Sequence, residues 1–109
     1  MAQDFAVLGQ VALGATTLTD IYTVPVGKTA VISSLVFCNR DSTARTYRLS
    51  IAVAGEADDV KQYLAYDAPI GANIPIAWQI GKTLGESDVI RAYASSAVIS
   101  VNVFGTEMY

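Results

Sequence analysis

Along most of the chain apolar and polar residues alternate with a period of two, and Gly, Pro, Asn, Asp and Ser interrupt the alternation at short intervals. Alternation puts one set of side chains on each face of an extended strand, and closely spaced turn residues fit a sandwich or barrel rather than a helical fold. The pattern predicts about eight strands: Phe5–Leu13, Leu18–Val24, Thr29–Asn39, Arg45–Ala54, Gln62–Asp67, Ile74–Ile80, Val89–Ala94 and Ala97–Phe104. The expected fold is all-β, a single-domain antiparallel β-sandwich over residues 1–109, jelly-roll-like in connection.

Particular segments sharpen this expectation. Pro25 lacks a ladder donor and Gly27 permits positive φ, so Val24 to Lys28 reads as a tight corner. In the third strand Val31, Leu35 and Phe37 form one alternating set and Ile32, Val36 and Cys38 the other. With both sets apolar, this strand is expected at the centre of a sheet and covered on both faces. Asn39 to Ser42 carries turn chemistry. Ser95-Ser96 suggests a hairpin between the last two strands. Glu56 to Asp59 reads as an exposed acidic loop, and Val60, Tyr63 and Leu64 have the spacing of at most one helical turn. Ile32, Val36, Leu49, Ile51, Val53, Ile99 and Val101 are the predicted core, with Trp78 packed among Ile74, Ile76 and Ile80.

Composition adds a constraint from outside the fold. Of 109 residues 52% are hydrophobic and only 16% charged, where about 25% is usual. So small a domain needs polar surface, and the apolar excess implies that part of its outside meets protein. No apolar run approaches the roughly 20 residues of a membrane helix. Met1 to Phe5 lacks the basic start of a secretory signal, so synthesis in a cytoplasm is expected. The lone Cys38 is expected to be a buried, inert thiol. Net charge is −3, and Arg40, Arg45 and Arg48 are interrupted by Asp41, which argues against nucleic acid as a partner.

Catalytic chemistry has little to work with. The chain contains no histidine and one cysteine, which removes the commonest general base and the commonest transition-metal ligands. The carboxylate pairs Glu56 with Asp58 and Glu86 with Asp88 lie in polar loops without the burial that would turn one into an acid. Glu56, Asp58 and Asp59 lack the spacing of a calcium loop. Gly81-Lys82-Thr83 resembles the end of a phosphate loop, but Ile76 stands where its first glycine belongs. No enzyme activity and no cofactor are expected. Arg48 and the aromatic side chains of Tyr63, Tyr66 and Tyr109 remain as candidate contact residues, with Tyr63 and Tyr66 on opposite sides of an extended strand.

Several local patterns in order resemble a group of short bacteriophage virion proteins. They are Val7-Leu8-Gly9-Gln10, Leu18 to Gly27 centred on Tyr22-Thr23-Val24-Pro25, Val31 to Arg40 ending Cys38-Asn39-Arg40, and Tyr47-Arg48-Leu49. Tyr63-Leu64-Ala65-Tyr66-Asp67, Asp88 to Tyr93 and Phe104-Gly105-Thr106-Glu107 follow. The resemblance implies a structural component of the virion, in the first reading a capsid decoration or cement protein bound to the major capsid protein; the apolar excess implies self-association, and the places such proteins occupy on icosahedral shells make a homotrimer the expected form. The alternative is a tail-fibre or baseplate module that contacts a host glycan.

Overall fold

The computed structural model describes residues Gln3–Tyr109, and they form two antiparallel sheets packed face to face. The nine strands are β1 (Gln3–Ala12), β2 (Thr19–Thr23), β3 (Thr29–Asn39), β4 (Arg45–Ala52), β5 (Tyr63–Ile70), β6 (Pro75–Trp78), β7 (Lys82–Leu84), β8 (Val89–Ala94) and β9 (Ile99–Met108). Sheet A runs β1-β9-β3-β6, with β7 also paired to β3, and sheet B runs β2-β8-β4-β5. β6 and β7 pair with successive halves of β3, so they behave as one interrupted edge strand. This is why the described residues form nine strands where the pattern suggested eight: Lys82–Leu84 lies in the stretch between the expected strands Ile74–Ile80 and Val89–Ala94.

The core fills the space between the sheets. Ile32, Leu35, Phe37, Ile99, Val101 and Val103 from sheet A meet Tyr47, Leu49, Ile90, Ala92 and Ala94 from sheet B, all buried. The Phe37 and Tyr47 rings lie 4.4 Å apart, and Trp78 Nε1 donates to Tyr47 Oη at 3.1 Å. Trp78 thus packs against the core as expected, together with Ile76 and Ile80, whereas Ile74 precedes β6 and is exposed.

Asn39 is the polar exception that organises one end. Fully buried, it donates from Nδ2 to the carbonyls of Thr43, Ile70 and Gly71 and accepts Asp41 N–H at Oδ1. The residue that marked a turn in the sequence therefore also ties that turn to the β5–β6 connection. The corner after β2 forms as expected, with Gly27 at φ +82° and Lys28 N–H donating to Pro25 O.

Three readings are corrected. β3 does not alternate evenly: its pairing with β9 slips between Ile32 and Ser34, so Ser33 is an extra residue. The slip changes phase, sending Ile32, Leu35 and Phe37 inward and leaving Val31, Val36 and Cys38 half-exposed on the outer face. β3 is central, but the chain does not cover that face, and Cys38 is not a buried thiol. β4 ends at Ala52, where a 3-10 turn over Val53–Gly55 carries Val53 into solvent at 60% exposure. Finally, Ser95-Ser96 makes no hairpin. Ser95 N–H donates to Thr46 O and Ser95 Oγ accepts Thr46 N–H, so the chain crosses from β8 in sheet B to β9 in sheet A.

Candidate functional site

The two outer faces of the sandwich differ in kind. On sheet A the outward positions of β1 and β9 are Gln3, Phe5, Val7, Gln10 and Ala12 opposite Met108, Thr106, Phe104, Asn102 and Ser100. β3 adds Thr29, Val31, Ser34, Val36 and Cys38, and β6 adds Ala77 and Pro75. Among the described residues this face of β1, β9, β3 and β6 presents no Asp, Glu, Lys or Arg. Phe5 is 80% exposed and Val7 52%. A shallow depression of about 260 Å³ crosses the β1–β9 pair, lined by Gln10 to Ala12 and Ser100 to Asn102.

At one end of sheet A, Gln3 to Val7 of β1 are exposed on both faces of the strand. The inner side of that end carries the charges. Tyr22 Oη donates to Glu107 Oε2 at 2.6 Å, Lys28 Nζ donates to Glu107 Oε1 at 3.2 Å and lies over the Tyr109 ring, and Tyr109 Oη donates to Asp4 at 2.8 Å. Tyr109 is therefore a brace between the two terminal strands and stands apart from the other candidates. Its hydroxyl is held above the ordinary tyrosine range by that hydrogen bond to the Asp4 carboxylate.

Sheet B has the opposite surface. Arg91, only 13% exposed at its side chain, pairs with Asp20 at 3.0 Å and donates to Glu56 O, which holds the β4–β5 loop against the sheet. Arg48 pairs with Asp67 and has its guanidinium between the Tyr66 and Tyr93 rings, at 4.0 and 4.2 Å. The hydrogen bond to Asp67 raises the Arg48 pKa further. Of the five ion pairs among the described residues, Arg48–Asp67 and Arg91–Asp20 join strands of this sheet.

Arg48, Tyr63 and Tyr66 come together here. β5 carries extra residues against β4, between Tyr47 and Leu49 and again before Ser50, and Asp67 takes a φ of +50° that Asp tolerates. These irregularities set Tyr63 and Tyr66 edge to face with centroids 5.0 Å apart, where even alternation separates them. Next to them a 3-10 turn over Val60–Gln62 is capped by Asp59, which accepts Lys61 N–H. Tyr63 Oη donates to Asp58 at 2.8 Å, and burial, then that bond, pushes its pKa up to about 12. Arg48, Asp58, Asp59, Val60, Tyr63 and Tyr66 line an open cleft of about 330 Å³.

The carboxylates weighed for catalysis have structural tasks. Asp88 accepts Ala54 N–H and Gly85 N–H, Glu86 accepts Gly27 N–H, and Glu56 pairs with Lys61. Among the described residues no three Asp, Glu or Cys side chains converge as a metal set, and no helix is long and apolar enough to cross a membrane. The sequence reading missed Tyr93, whose alternation with Arg91 on β8 is the signal that puts it beside Arg48.

No protein-family model matches the chain, and no curated protein is similar to it. It is similar to a solved structure described as a pentameric capsid protein isolated from metagenomic phage sequences, with 19% identity and a TM-score of 0.42. The match covers 95% of this chain and 63% of the other, so the chain spans less than two thirds of that protein's length.

Proposed function

We propose that this chain is a non-catalytic structural subunit of a bacteriophage particle, a decoration protein that associates with copies of itself and with the capsid through the outer face of sheet A. The observation that carries this reading is the absence of charge on that face. Copies with a net charge of −3 repel one another at long range, and a contact face without like charges removes the short-range part of that penalty. Apolar side chains then contribute roughly 25 cal/mol per Å² of buried surface before ordering costs.

The size of the face bears on how it is used. Four strands at about 4.8 Å spacing and about 30 Å of length give on the order of 600 Å². A standard interface buries about 800 Å² per partner. One such contact is marginal, and a subunit gains from holding several at once on a repeating lattice. Binding to the assembled lattice and not to its separated subunits stabilises the shell without any chemistry. Attachment to the head follows the resemblance to short virion proteins, trimeric association follows the three-fold positions of icosahedral shells where decoration proteins sit, and the strand order of the two sheets suits a jelly-roll connection.

Sedimentation of the purified chain over a wide concentration range, and cosedimentation with phage heads, test the reading. Concentration-dependent oligomers and saturable head binding are expected. A monodisperse monomer of 11.5 kDa that leaves heads undecorated overturns it.

A further inference from the structure

The cleft on sheet B is remote in character from the charge-free face, and its lining selects its ligand by elimination. We infer that it is a binding site for a neutral saccharide, a hexose unit of an oligosaccharide. Arg48 spends two of its five N–H donors on Asp67 and has both ring-stacking faces covered by Tyr66 and Tyr93, so a ligand meets only its remaining edge donors. Asp58 accepts Tyr63 Oη through Oδ1, and Asp59 accepts Lys61 N–H through Oδ1; each keeps its second oxygen as a free acceptor. Tyr66, 57% exposed, and Val60, 84% exposed, add apolar surface at the rim.

Neither sign of ion suits this lining. An anion that reached Arg48 would find it already paired with Asp67 and would meet the Asp58 and Asp59 carboxylates, and a cation would find those carboxylates already accepting from Tyr63 Oη and Lys61 N–H. An apolar ligand would strand the free donors and acceptors. A sugar ring offers what the cleft asks for: hydroxyls that both donate and accept, and an apolar C–H face for the exposed part of the Tyr66 ring and the Val60 methyls. At about 330 Å³ the cleft is near the lower end of small-ligand sites, and its openness lets a glycan chain continue into solvent. The inference does not depend on the assembly role; a subunit that buries sheet A simply turns this cleft outward.

The test is an NMR titration of the full chain with lactose, maltose, cellobiose and chitobiose in turn, each to tens of millimolar. At least one disaccharide is expected to shift amides of Asp58 to Tyr66 with a dissociation constant on the order of 1 mM, unchanged between low and high salt. Asp58→Ala and Tyr66→Ala should each weaken binding by roughly fivefold or more. Val60→Trp, which touches no hydrogen bond, should block the mouth if either of those variants misfolds. Tyr109→Phe should bind as the parent does. No shift from any of the four sugars overturns the proposal, and so does a salt-sensitive response of the same amides to inorganic phosphate or butylammonium in place of sugars. Loss of head binding with sugar binding intact leaves this site standing and removes only the assembly role.

Discussion

Tyr22 on β2 donates its hydroxyl to the Glu107 carboxylate on β9 at 2.6 Å, a bond that joins sheet B to sheet A. That hydrogen bond, more than the nearby Lys28, holds the Glu107 pKa below its ordinary value of 4.5, against the opposing effect of burial. A carboxylate whose folded pKa is depressed stabilises fully above its unfolded pKa and loses that contribution as pH falls through the folded one. Glu107→Gln should therefore cost about 1 kcal/mol at neutral pH, and progressively less as pH falls below 4.5 and through the lowered folded pKa. Denaturant melts of parent and variant across the acid range should converge.

The alkaline side has the opposite sign. Tyr22, through burial and the Glu107 bond, and Tyr63, through burial and the Asp58 bond, have hydroxyl pKa values raised above 10.0. Their neutral forms favour the folded state, so their contribution is complete below pH 10 and declines as pH rises toward the folded values. Tyr22→Phe should be less stable than the parent at pH 7 and lose less between pH 10 and 11. A variant whose alkaline decline matches the parent's would refute this role for Tyr22.

Leu49 and Val53 have the same parity on the fourth strand and read as equals in the sequence. Leu49 is fully buried and Val53 is 60% exposed. Leu49→Ala should cost about 2–5 kcal/mol and Val53→Ala less than about 0.5 kcal/mol. Equal costs in urea titrations would mean that β4 continues through Val53.

The contrast marks where the sequence is legible. Periodicity identified every strand of the sandwich but β7, because side-chain alternation is a local property of extended chain. It also found the fixed points set by backbone chemistry, Asn39 and the Pro25–Gly27 corner. What it missed comes from pairing across sequence distance. Ser33 is a bulge only because of how β9 runs beside it, and that one extra residue decides which face receives Val36 and Cys38. Ser95 gives no local sign that its partner is Thr46 rather than a residue of β9. Among the contact candidates, Arg48, Tyr63 and Tyr66 meet because β5 is irregular, while Tyr109 lies elsewhere because it follows β9.

Two strand glycines are required by close approach of neighbouring backbone. A Cβ on Gly9 would stand 2.3 Å from the Ile21 carbonyl oxygen, and one on Gly105 2.3 Å from that of Val31. Neither obstacle is a side chain that can turn away, so the backbone must move. Gly9→Ala and Gly105→Ala should each destabilise by about 1–3 kcal/mol, although alanine is the better residue for a strand by local preference. Gly81→Ala, with open space at the corresponding position, serves as the control and should be near neutral in thermal melts.

The last prediction separates assembly from folding. Phe5 on β1 and Val36 on β3 both point outward from sheet A, Phe5 at 80% exposure, and neither is a member of the core. Replacing either by lysine adds a charge to the charge-free face without opening a cavity. Phe5→Lys should keep the parent's stability within about 0.5 kcal/mol, since an exposed substitution removes no buried contact. If copies meet through this face, each contact in the assembly must then desolvate an unpaired ammonium, and Phe5→Lys should shift the sedimentation distribution to monomer and weaken head binding. The net charge of the chain becomes −2, so weaker general repulsion would push the other way, toward association. Arg91→Lys on sheet B keeps the charge, lies on the opposite face and should leave assembly unchanged. A Phe5→Lys protein that associates as tightly as the parent would show that the charge-free face is not where copies meet.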